Sequence, residues 1–274
     1  MMRAAVFQFD VLPDSAHNLE RVLEGLSQAA AQGVDLVVLP EMWPTSFPSG
    51  AASEADLLAT EEAWLRVGEF TAGQPLCVMG SGLGRTGGLP ANRMRVFEAG
   101  AELLAYDKLH LFSPTAENMS FSAGKEPPPA LDTRAVRLGV AVCYDLRFAG
   151  CFDRAWRAGV DLWALSAQWP LPRIGHWRAL VMARAIERQC FFVACNRTGC
   201  AEIGRRRLPL EFPGASLIVS PLGEVLVEAD GREGLFTADL DLSEARRYRT
   251  RIPLLKDERP QFYGSSTRNS SNRP

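Results

Sequence analysis

One apolar run in the sequence ends in residues that could perform covalent chemistry. Residues 140–148 read V-A-V-C-Y-D-L-R-F, so Cys143 follows a strand-like segment and precedes an aromatic residue, an acid and an arginine. Free cysteine is among the most buried residue types, so Cys143 could also be core packing. To act as a nucleophile, it needs a general base, a stabiliser for an oxyanion and surroundings that shift its thiol toward the thiolate.

Two further reactive residues occupy comparable positions. Glu41 follows the apolar run V-D-L-V-V-L-P, and Lys108 follows E-L-L-A-Y-D. In open α/β sheets the loops at the carboxyl ends of strands converge over one crevice, so Glu41, Lys108 and Cys143 could meet there. Taken singly, Glu41 could instead be an acid at a helix start, and Lys108 a solvated surface charge.

The N-terminal third alternates between strand and helix patterns. R-A-A-V-F-Q-F predicts a strand, residues 15–32 have helical apolar spacing that stops before Gly33, and V-D-L-V-V-L-P predicts a buried strand ending at Pro40. Ser53 with Asp56 predicts the start of a second helix. The apolar residues of that helix that we expect to face inward are Leu57, Leu58, Trp64, Leu65 and Phe70.

The rest of the chain adds hairpins to this alternation. R-M-R-V-F-E-A-G-A-E-L-L-A-Y-D-K predicts two strands around Gly100, and V-R-L-G-V-A-V-C, D-L-W-A-L-S and C-F-F-V-A-C-N predict strands with helices between them. A final hairpin turns at P-L-G-E. The pattern indicates an α/β fold with helices outside a mixed sheet core. We predict one domain over residues 1–264 and a disordered tail over residues 265–274.

Composition argues against several classes of partner. The net charge is −2, from 30 Lys and Arg against 32 Asp and Glu, which gives no general attraction to nucleic acid or membranes. The sequence has no signal-peptide pattern at its start and no apolar run of membrane-spanning length. Its six cysteines form no C-x-x-C pair, and its three histidines are scattered. We expect a cytoplasmic protein with free thiols that uses no metal.

Three motifs together resemble a known family. L-P-E-M-W, D-K-L-H-L-F and V-C-Y-D-L-R-F, in that order, are similar to the Glu-Lys-Cys motifs of the nitrilase superfamily of carbon–nitrogen hydrolases. The resemblance runs from Ala4 to about Tyr263. Q-W-P-L-P-R-I-G-H-W and A-R-A-I-E-R-Q resemble the omega-amidase-like branch. Two positions depart from that branch, which usually has proline where this chain has Ala149 and asparagine where it has Arg188.

The resemblance implies a fold and a reaction. The fold is an α/β, four-layer α-β-β-α sandwich, commonly assembled layer against layer into a homodimer or higher homo-oligomer. The substrate is a small-molecule amide, and no cofactor is required. Cys143 attacks the carbonyl, while Glu41 acts as general base and then as general acid toward ammonia. Lys108 and the backbone N–H of Tyr144 stabilise the oxyanion, and Glu41 activates the water that releases the acid from a thioester.

Supporting roles follow from the same resemblance. Glu117 matches a second glutamate that orients the lysine and the substrate, although it could be a solvated loop acid. Arg147 matches the arginine that grips the substrate carboxylate, and its alternative role is an ion pair with Asp145 or Asp153. We interpret Asp145 as a cap of the turn after the nucleophile. His110 is interpreted as a hydrogen-bonding residue that fixes its loop.

Several functions remain open from the sequence alone. The favoured substrate is an ω-amide of an α-keto dicarboxylic acid, such as 2-oxoglutaramate. Within the superfamily the alternatives are a nitrile, an N-carbamoyl compound or another amide, although Tyr144-Asp145 differs from the Trp-Glu typical of nitrilases. A non-catalytic interaction protein on the same scaffold would be marked by loss of a triad residue. A thiol redox role lacks a resolving C-x-x-C partner.

Overall fold

The computed structural model of the chain describes residues 1–204 and 207–262, so the predicted disordered tail at 265–274 lies outside the described residues. The strands are β1 (Met2–Gln8), β2 (Leu36–Val38), β3 (Cys77–Gly84), β4 (Ala91–Glu98), β5 (Ala101–Asp107), β6 (Ala130–Asp132), β7 (Arg137–Val142), β8 (Leu162–Ala167), β9 (Phe191–Asn196), β10 (Thr198–Ile203), β11 (Leu208–Pro213), β12 (Leu217–Val219), β13 (Val225–Glu228) and β14 (Gly234–Leu240). The α-helices are α1 (Ser15–Ala31), α2 (Glu54–Ala72), α3 (Asp153–Arg157), α4 (Ile174–Arg188), α5 (Ser243–Arg251) and α6 (Leu254–Asp257). No described helix has both the length and the apolar character needed to cross a membrane.

The strands form two six-stranded mixed sheets. The first has the order β14-β1-β2-β3-β4-β5, and the second has the order β13-β12-β9-β8-β7-β6. Strands β1, β2 and β3 are parallel to each other, as are β7, β8 and β9, while the flanking pairs are antiparallel. The parallel strands of each sheet are joined through helices, as the alternating pattern in the sequence predicts.

Both faces of the central strands are apolar, which stacks the chain in layers. Along β1, Ala4 and Val6 face the second sheet, whereas Ala5 and Phe7 pack under α1 and α2. In the second sheet, the even positions of β8 face the first sheet and Trp163 packs toward α4. Because side chains alternate along a strand, such doubly apolar strands require cover on both sides. The resulting order is helices, sheet, sheet, helices, which confirms the predicted α-β-β-α sandwich.

Helix α2 begins where predicted but buries a narrower face. Ser53 and Asp56 form a reciprocal capping box at its start. Trp64 is fully buried, whereas Leu58 and Leu65 are 58% and 66% exposed, so the prediction that these two leucines face inward is wrong. They lie seven residues apart on the outer face of the helix. The inner face instead contains smaller residues, namely Thr60, Ala63, Val67, Gly68 and Thr71.

The sequence patterns did not predict one two-stranded hairpin. Strands β10 and β11 form a separate two-stranded sheet, from Thr198 opposite Pro213 to Ile203 opposite Leu208. The apolar alternation of Leu208, Leu210 and Phe212 was the available signal. The hairpin matters for function because three of its side chains line the pocket described below.

Candidate active site

The three predicted reactive residues meet between the two sheets. Glu41 lies just beyond β2, Lys108 directly follows β5, and Cys143 directly follows β7. The backbone N–H of Glu41 lies 3.4 Å from the carbonyl oxygen of Ala167 at the end of β8, which ties the two sheets together here. The carboxyl ends of strands from both sheets thus converge on one place, as the strand patterns predict.

Lys108 is buried between two carboxylates. Its Nζ lies 2.8 Å from Glu41 Oε1 and 2.9 Å from both carboxylate oxygens of Glu117. All three side chains are at most 3% exposed. Glu117 also accepts a hydrogen bond of 2.6 Å from the backbone N–H of Phe112, which fixes the carboxylate in place. The alternative that Glu117 is a solvated loop acid is therefore wrong.

Asn92 and Gln168, two residues that the sequence analysis did not single out, hold Glu41 in place through hydrogen bonds. Asn92 Nδ2 donates to Glu41 Oε1 at 2.7 Å and lies 3.3 Å from Glu117 Oε1. The backbone N–H of Gln168 donates to Glu41 Oε2 at 2.9 Å, and its side chain donates to the Glu41 carbonyl at 2.8 Å. Gln168 opens the quoted motif Q-W-P-L-P-R, whereas Asn92 had no comparable signal.

Cys143 occupies a strained backbone position at the end of its strand. Its φ is +43°, in the left-handed region that non-glycine residues rarely adopt. Met42, after Glu41, and Ala116, before Glu117, have similar φ values of +52° and +59°. Such conformations cluster at functional sites because the surrounding structure must hold them. The turn leaves the half-buried Cys143 Sγ facing Glu41, 3.9 Å from the carbonyl oxygen of Gln168.

Burial has the largest single effect on the pKa values of the Cys143, Glu41 and Lys108 side chains. It raises the pKa of the Cys143 thiol, and the nearby Glu41 carboxylate raises it further, outweighing the opposite effect of Lys108. Burial and the Glu41 carboxylate therefore oppose the shift toward the thiolate that a cysteine nucleophile needs. Burial also raises the pKa of Glu41 despite its contact with Lys108. For Lys108, burial opposes the charge, but Glu117 and Glu41 prevail and raise the pKa of the ammonium group.

Asp145 organises the turn that follows Cys143, as predicted. It accepts hydrogen bonds from the Tyr106 hydroxyl at 3.0 Å, from the backbone N–H of His110 at 3.0 Å and from that of Val142 at 3.2 Å. His110 Nδ1 lies 2.8 Å from the same carboxylate, so this histidine fixes its loop as predicted. His110, Asp145 and Cys151 lie close together, and within this group His110 and Asp145 are joined by the contact just described.

A pocket lies over these residues. Glu41, Lys108, Glu117 and Cys143 form part of its lining, together with Tyr144 and Arg147. All six residues predicted for the site therefore reach one cavity. Its remaining wall is mainly apolar, with aromatic side chains from several loops and apolar side chains from the β10–β11 hairpin, namely Phe47, Phe112, Trp169, Ile203, Leu210 and Phe212.

Arg147 is available to a ligand in this pocket. Its guanidinium carbon lies 4.7 Å from the centre of the Trp169 ring, and Nη2 lies 3.4 Å from His176 Nδ1. The alternative of an ion pair with Asp145 or Asp153 is wrong. Asp145 is bonded as described above, and Asp153 pairs with Arg188 at 2.8 Å.

Ala149 and Arg188, the two residues that differ from the family pattern, contact each other outside the pocket. Arg188 Nη2 donates to the carbonyl oxygen of Ala149 at 2.8 Å while the same side chain pairs with Asp153. Neither Arg188 nor Ala149 lines the cavity over Cys143. The substitutions therefore leave the composition of the pocket wall unchanged.

Comparison with known proteins agrees with this geometry. The sequence profile of the carbon–nitrogen hydrolase family matches residues 3–250. The chain belongs to the carbon–nitrogen hydrolase family. It is 33% identical to the 2-oxoglutaramate amidase of Bacillus subtilis (strain 168) over 93% of this chain and 97% of that protein. It is also 33% identical to the omega-amidase YafV of Escherichia coli (strain K12), over 89% and 90% of the two chains. These matches confirm the resemblance to the omega-amidase-like branch.

A solved member of the same fold bears on the cysteine. It is a variant of the amidase from Nesterenkonia sp. AN1, with 26% identity and a TM-score of 0.79, covering 93% of this chain and 96% of that one. That structure shows covalent addition of the acetamide moiety of fluoroacetamide at its active-site cysteine. In the chain of the present structure, Cys143 directly follows β7 and lies beside the buried side chains of Glu41 and Lys108.

The hydrogen bond from Asn92 to Glu41 should be visible in the pH profile. Glu41 must be ionised to act as a base, so kcat/KM falls as the pH drops through the Glu41 pKa, which burial has already raised. Asn92→Ala removes a donor to the ionised form and should move this acidic limb upward by about one pH unit. The control is Ser122→Ala, which removes an exposed hydroxyl bonded to the Leu89 carbonyl. An unchanged acidic limb in Asn92→Ala would contradict the proposed role of Glu41.

Proposed function

We propose that this carbon–nitrogen hydrolase is a cysteine amidase that cleaves the ω-amide of a small α-keto dicarboxylic acid, such as 2-oxoglutaramate, to the acid and ammonia. The observation that carries the proposal is the position of Arg147. Its guanidinium lies in the same cavity as Cys143, and within the described residues it pairs with no carboxylate. A substrate carboxylate there would leave the amide at the other end of the molecule facing the thiol.

The first half-reaction needs proton transfer during attack. Because the pKa of the Cys143 thiol is raised, the sulfur becomes a strong nucleophile only as Glu41 accepts its proton. The attack places negative charge on the amide oxygen. The Lys108 ammonium group and the backbone N–H of Tyr144, in the first turn after β7, are the donors for this oxyanion. Glu41 then gives the proton to the leaving nitrogen, and ammonia departs.

The second half-reaction uses the same groups in reverse. The acyl group is now a thioester on Cys143, and a water molecule takes the position that ammonia has left. Glu41 removes a proton from this water, and Lys108 again stabilises the oxyanion. Collapse of the tetrahedral intermediate breaks the C–S bond and returns a proton to the sulfur. Glu117 keeps the Lys108 ammonium aimed at the oxyanion while balancing its charge.

A substrate panel tests the proposed class directly. Ammonia release should be measured with ω-amides of α-keto acids, neutral aliphatic amides, nitriles and N-carbamoyl amino acids. We expect the highest kcat/KM for the carboxylated ω-amides, since neutral amides and nitriles offer no carboxylate to the Arg147 guanidinium and N-carbamoyl amino acids carry theirs closer to the scissile carbonyl. A non-catalytic role disagrees with the contacts among Glu41, Lys108 and Glu117, which a protein without turnover would have no need to bury.

Arg147→Lys tests the carboxylate anchor. Lysine keeps the charge but loses the planar fork that makes two parallel hydrogen bonds, so KM for 2-oxoglutaramate should rise about tenfold with little change in kcat. Amides without a carboxylate should be poor substrates for the wild type and should change less than about twofold. Arg178→Lys is the matched control, because Arg178 pairs with Glu228 on the exposed side of α4. Equal losses on charged and neutral amides would mean that Arg147 only supports its loop.

We further propose that the enzyme works in the cytoplasm as a homodimer or higher homo-oligomer and binds neither nucleic acid nor membranes. The near-neutral charge supports the absence of a polyanionic partner. The cysteines are free within the described residues, which suits a reducing compartment. Ile186 on α4 and Leu222 in the turn between β12 and β13 are 42% and 47% exposed, and such apolar residues suit contact with a second copy.

A further inference from the structure

A second arginine lines the pocket, and the mechanism described above does not use it. Arg173 lies at the start of α4, and its side chain forms part of the same cavity wall as Cys143 and Arg147. Its guanidinium carbon is 5.4 Å from the centre of the Phe112 ring, which also lines the cavity. Arg173 is half-buried, and within the described part of the chain no carboxylate pairs with it.

Helix stability does not explain an arginine at this position. Arg173 is the N-cap of α4, and its side chain makes no capping hydrogen bond. A guanidinium has no acceptor and cannot satisfy the N–H groups of the first turn. A positive charge at a helix N-terminus is also unfavourable, and the first turn of α4 contains no acid to compensate it. The position therefore favours an anion from outside the chain.

The backbone around Arg173 is fixed in a way that also holds Arg147. The Trp169 indole N–H donates to the Arg173 carbonyl at 2.8 Å, and the backbone N–H of Trp169 donates to Asn196 Oδ1 at 2.7 Å. The Arg147 guanidinium stacks on the same Trp169 ring. Both arginines thus adjoin one short segment, so their guanidinium groups can approach the same end of a bound molecule.

The charges of the pocket are divided between its two ends. Around Lys108, the carboxylates of Glu41 and Glu117 surround a single cation. Near Trp169, Arg147 and Arg173 are two cations without an acidic partner in the described residues. This division orients a substrate that has a neutral amide at one end and an anion at the other, because the buried carboxylates repel its charged end.

We infer that Arg173 is a second substrate-binding residue, which together with Arg147 binds the carboxylate-bearing end of the substrate. This inference rests on the proposed function for its choice of substrate. A carboxylate has two oxygens that can together accept about four hydrogen bonds, so it can bind two guanidinium groups at once. The inferred pair of arginines selects for ω-amides with an anionic end, and it excludes a carbon–nitrogen hydrolase specialised for neutral amides.

Kinetics of Arg173→Gln test the inference. Glutamine removes the charge but keeps a polar side chain of moderate length. We expect KM for 2-oxoglutaramate to rise at least about tenfold with kcat nearly unchanged, while kcat/KM for a neutral amide such as butyramide stays within about twofold. Arg178→Gln is the matched control on the exposed side of α4 and should leave both substrates unaffected. Equal losses on both amides, or no loss on either, would overturn the inference.

Binding to the inactive enzyme separates this inference from the proposed function. In Cys143→Ala protein, calorimetry with 2-oxoglutarate, the expected acid product, should show a Kd that Arg173→Gln weakens at least about tenfold. If the wild type hydrolyses no carboxylated ω-amide but this loss of binding occurs, the proposed substrate is wrong and the anion-binding role of Arg173 stands. If 2-oxoglutarate binds equally well with and without Arg173→Gln, the inference is wrong.

Discussion

Replacing Cys143 by alanine should abolish turnover while leaving the fold intact. We expect kcat to fall by at least about 10⁴-fold, the scale seen when a covalent nucleophile is removed. The substitution removes only one sulfur atom from a half-buried position. Alanine meets the same strain at φ +43° as cysteine, so the melting temperature should change little. The measurement is ammonia release from 2-oxoglutaramate, with thermal unfolding followed in parallel.

The same prediction includes a covalent adduct on one defined thiol. Mass spectrometry of wild-type enzyme with a slow amide substrate should show an acyl group on the peptide that contains Cys143. Cys200→Ala is the control, because Cys200 is the exposed cysteine of the described chain. An acyl adduct on Cys200 or on any other cysteine would contradict the mechanism, as would turnover surviving in Cys143→Ala.

The positions of the reactive residues were predictable because each one interrupts a strong pattern. Glu41, Lys108 and Cys143 each follow an apolar strand that the sequence shows clearly, and the ends of such strands converge in α/β folds. Their convergence across two different sheets was not predictable from periodicity. It came from the resemblance of the ordered motifs to a family, and the contacts of Lys108 with both carboxylates agree with it.

Two residues that reach the site from distant positions in the sequence were not predicted. Asn92 is one of several polar residues in β4, and only the fold shows that it donates to Glu41, 51 residues away. Arg173 was part of a quoted motif, but nothing in the motif showed that it lines the same cavity as Cys143. Such contacts depend on tertiary packing, which a pattern of local residue types does not contain.

Burial also accounts for what the sequence did not show. The pKa of the Cys143 thiol depends most on burial and then on the charge of Glu41, and neither can be read from the neighbouring residues in the sequence. In α2, Leu58 and Leu65 were assigned to the core by hydrophobicity alone. The helix instead faces the sheet with the stripe that contains Trp64, and leucines outside that stripe stay exposed.

Glu41→Gln should lower kcat by at least about 10²-fold, and by more than the loss of one oxyanion donor. Glutamine has nearly the same shape but cannot carry a proton between Cys143, ammonia and water. Both half-reactions lose their acid–base group, so neither the release of ammonia nor the hydrolysis of the thioester should persist at a useful rate. The exposed Glu24→Gln on α1 is the matched control. Near wild-type kcat in Glu41→Gln would contradict the assignment of the general base.

Lys108→Met distinguishes this acid–base role from a merely structural one. Methionine fills similar space without charge, so the oxyanion loses a donor and kcat should fall at least about 10²-fold. It also leaves Glu41 and Glu117 without the cation between them, and their repulsion should raise the pKa at which activity appears. Glu41→Gln removes the titrating base itself, so its residual activity should lose the acidic limb of the pH profile. If both variants keep the wild-type limb, the group that titrates in the reaction is not Glu41.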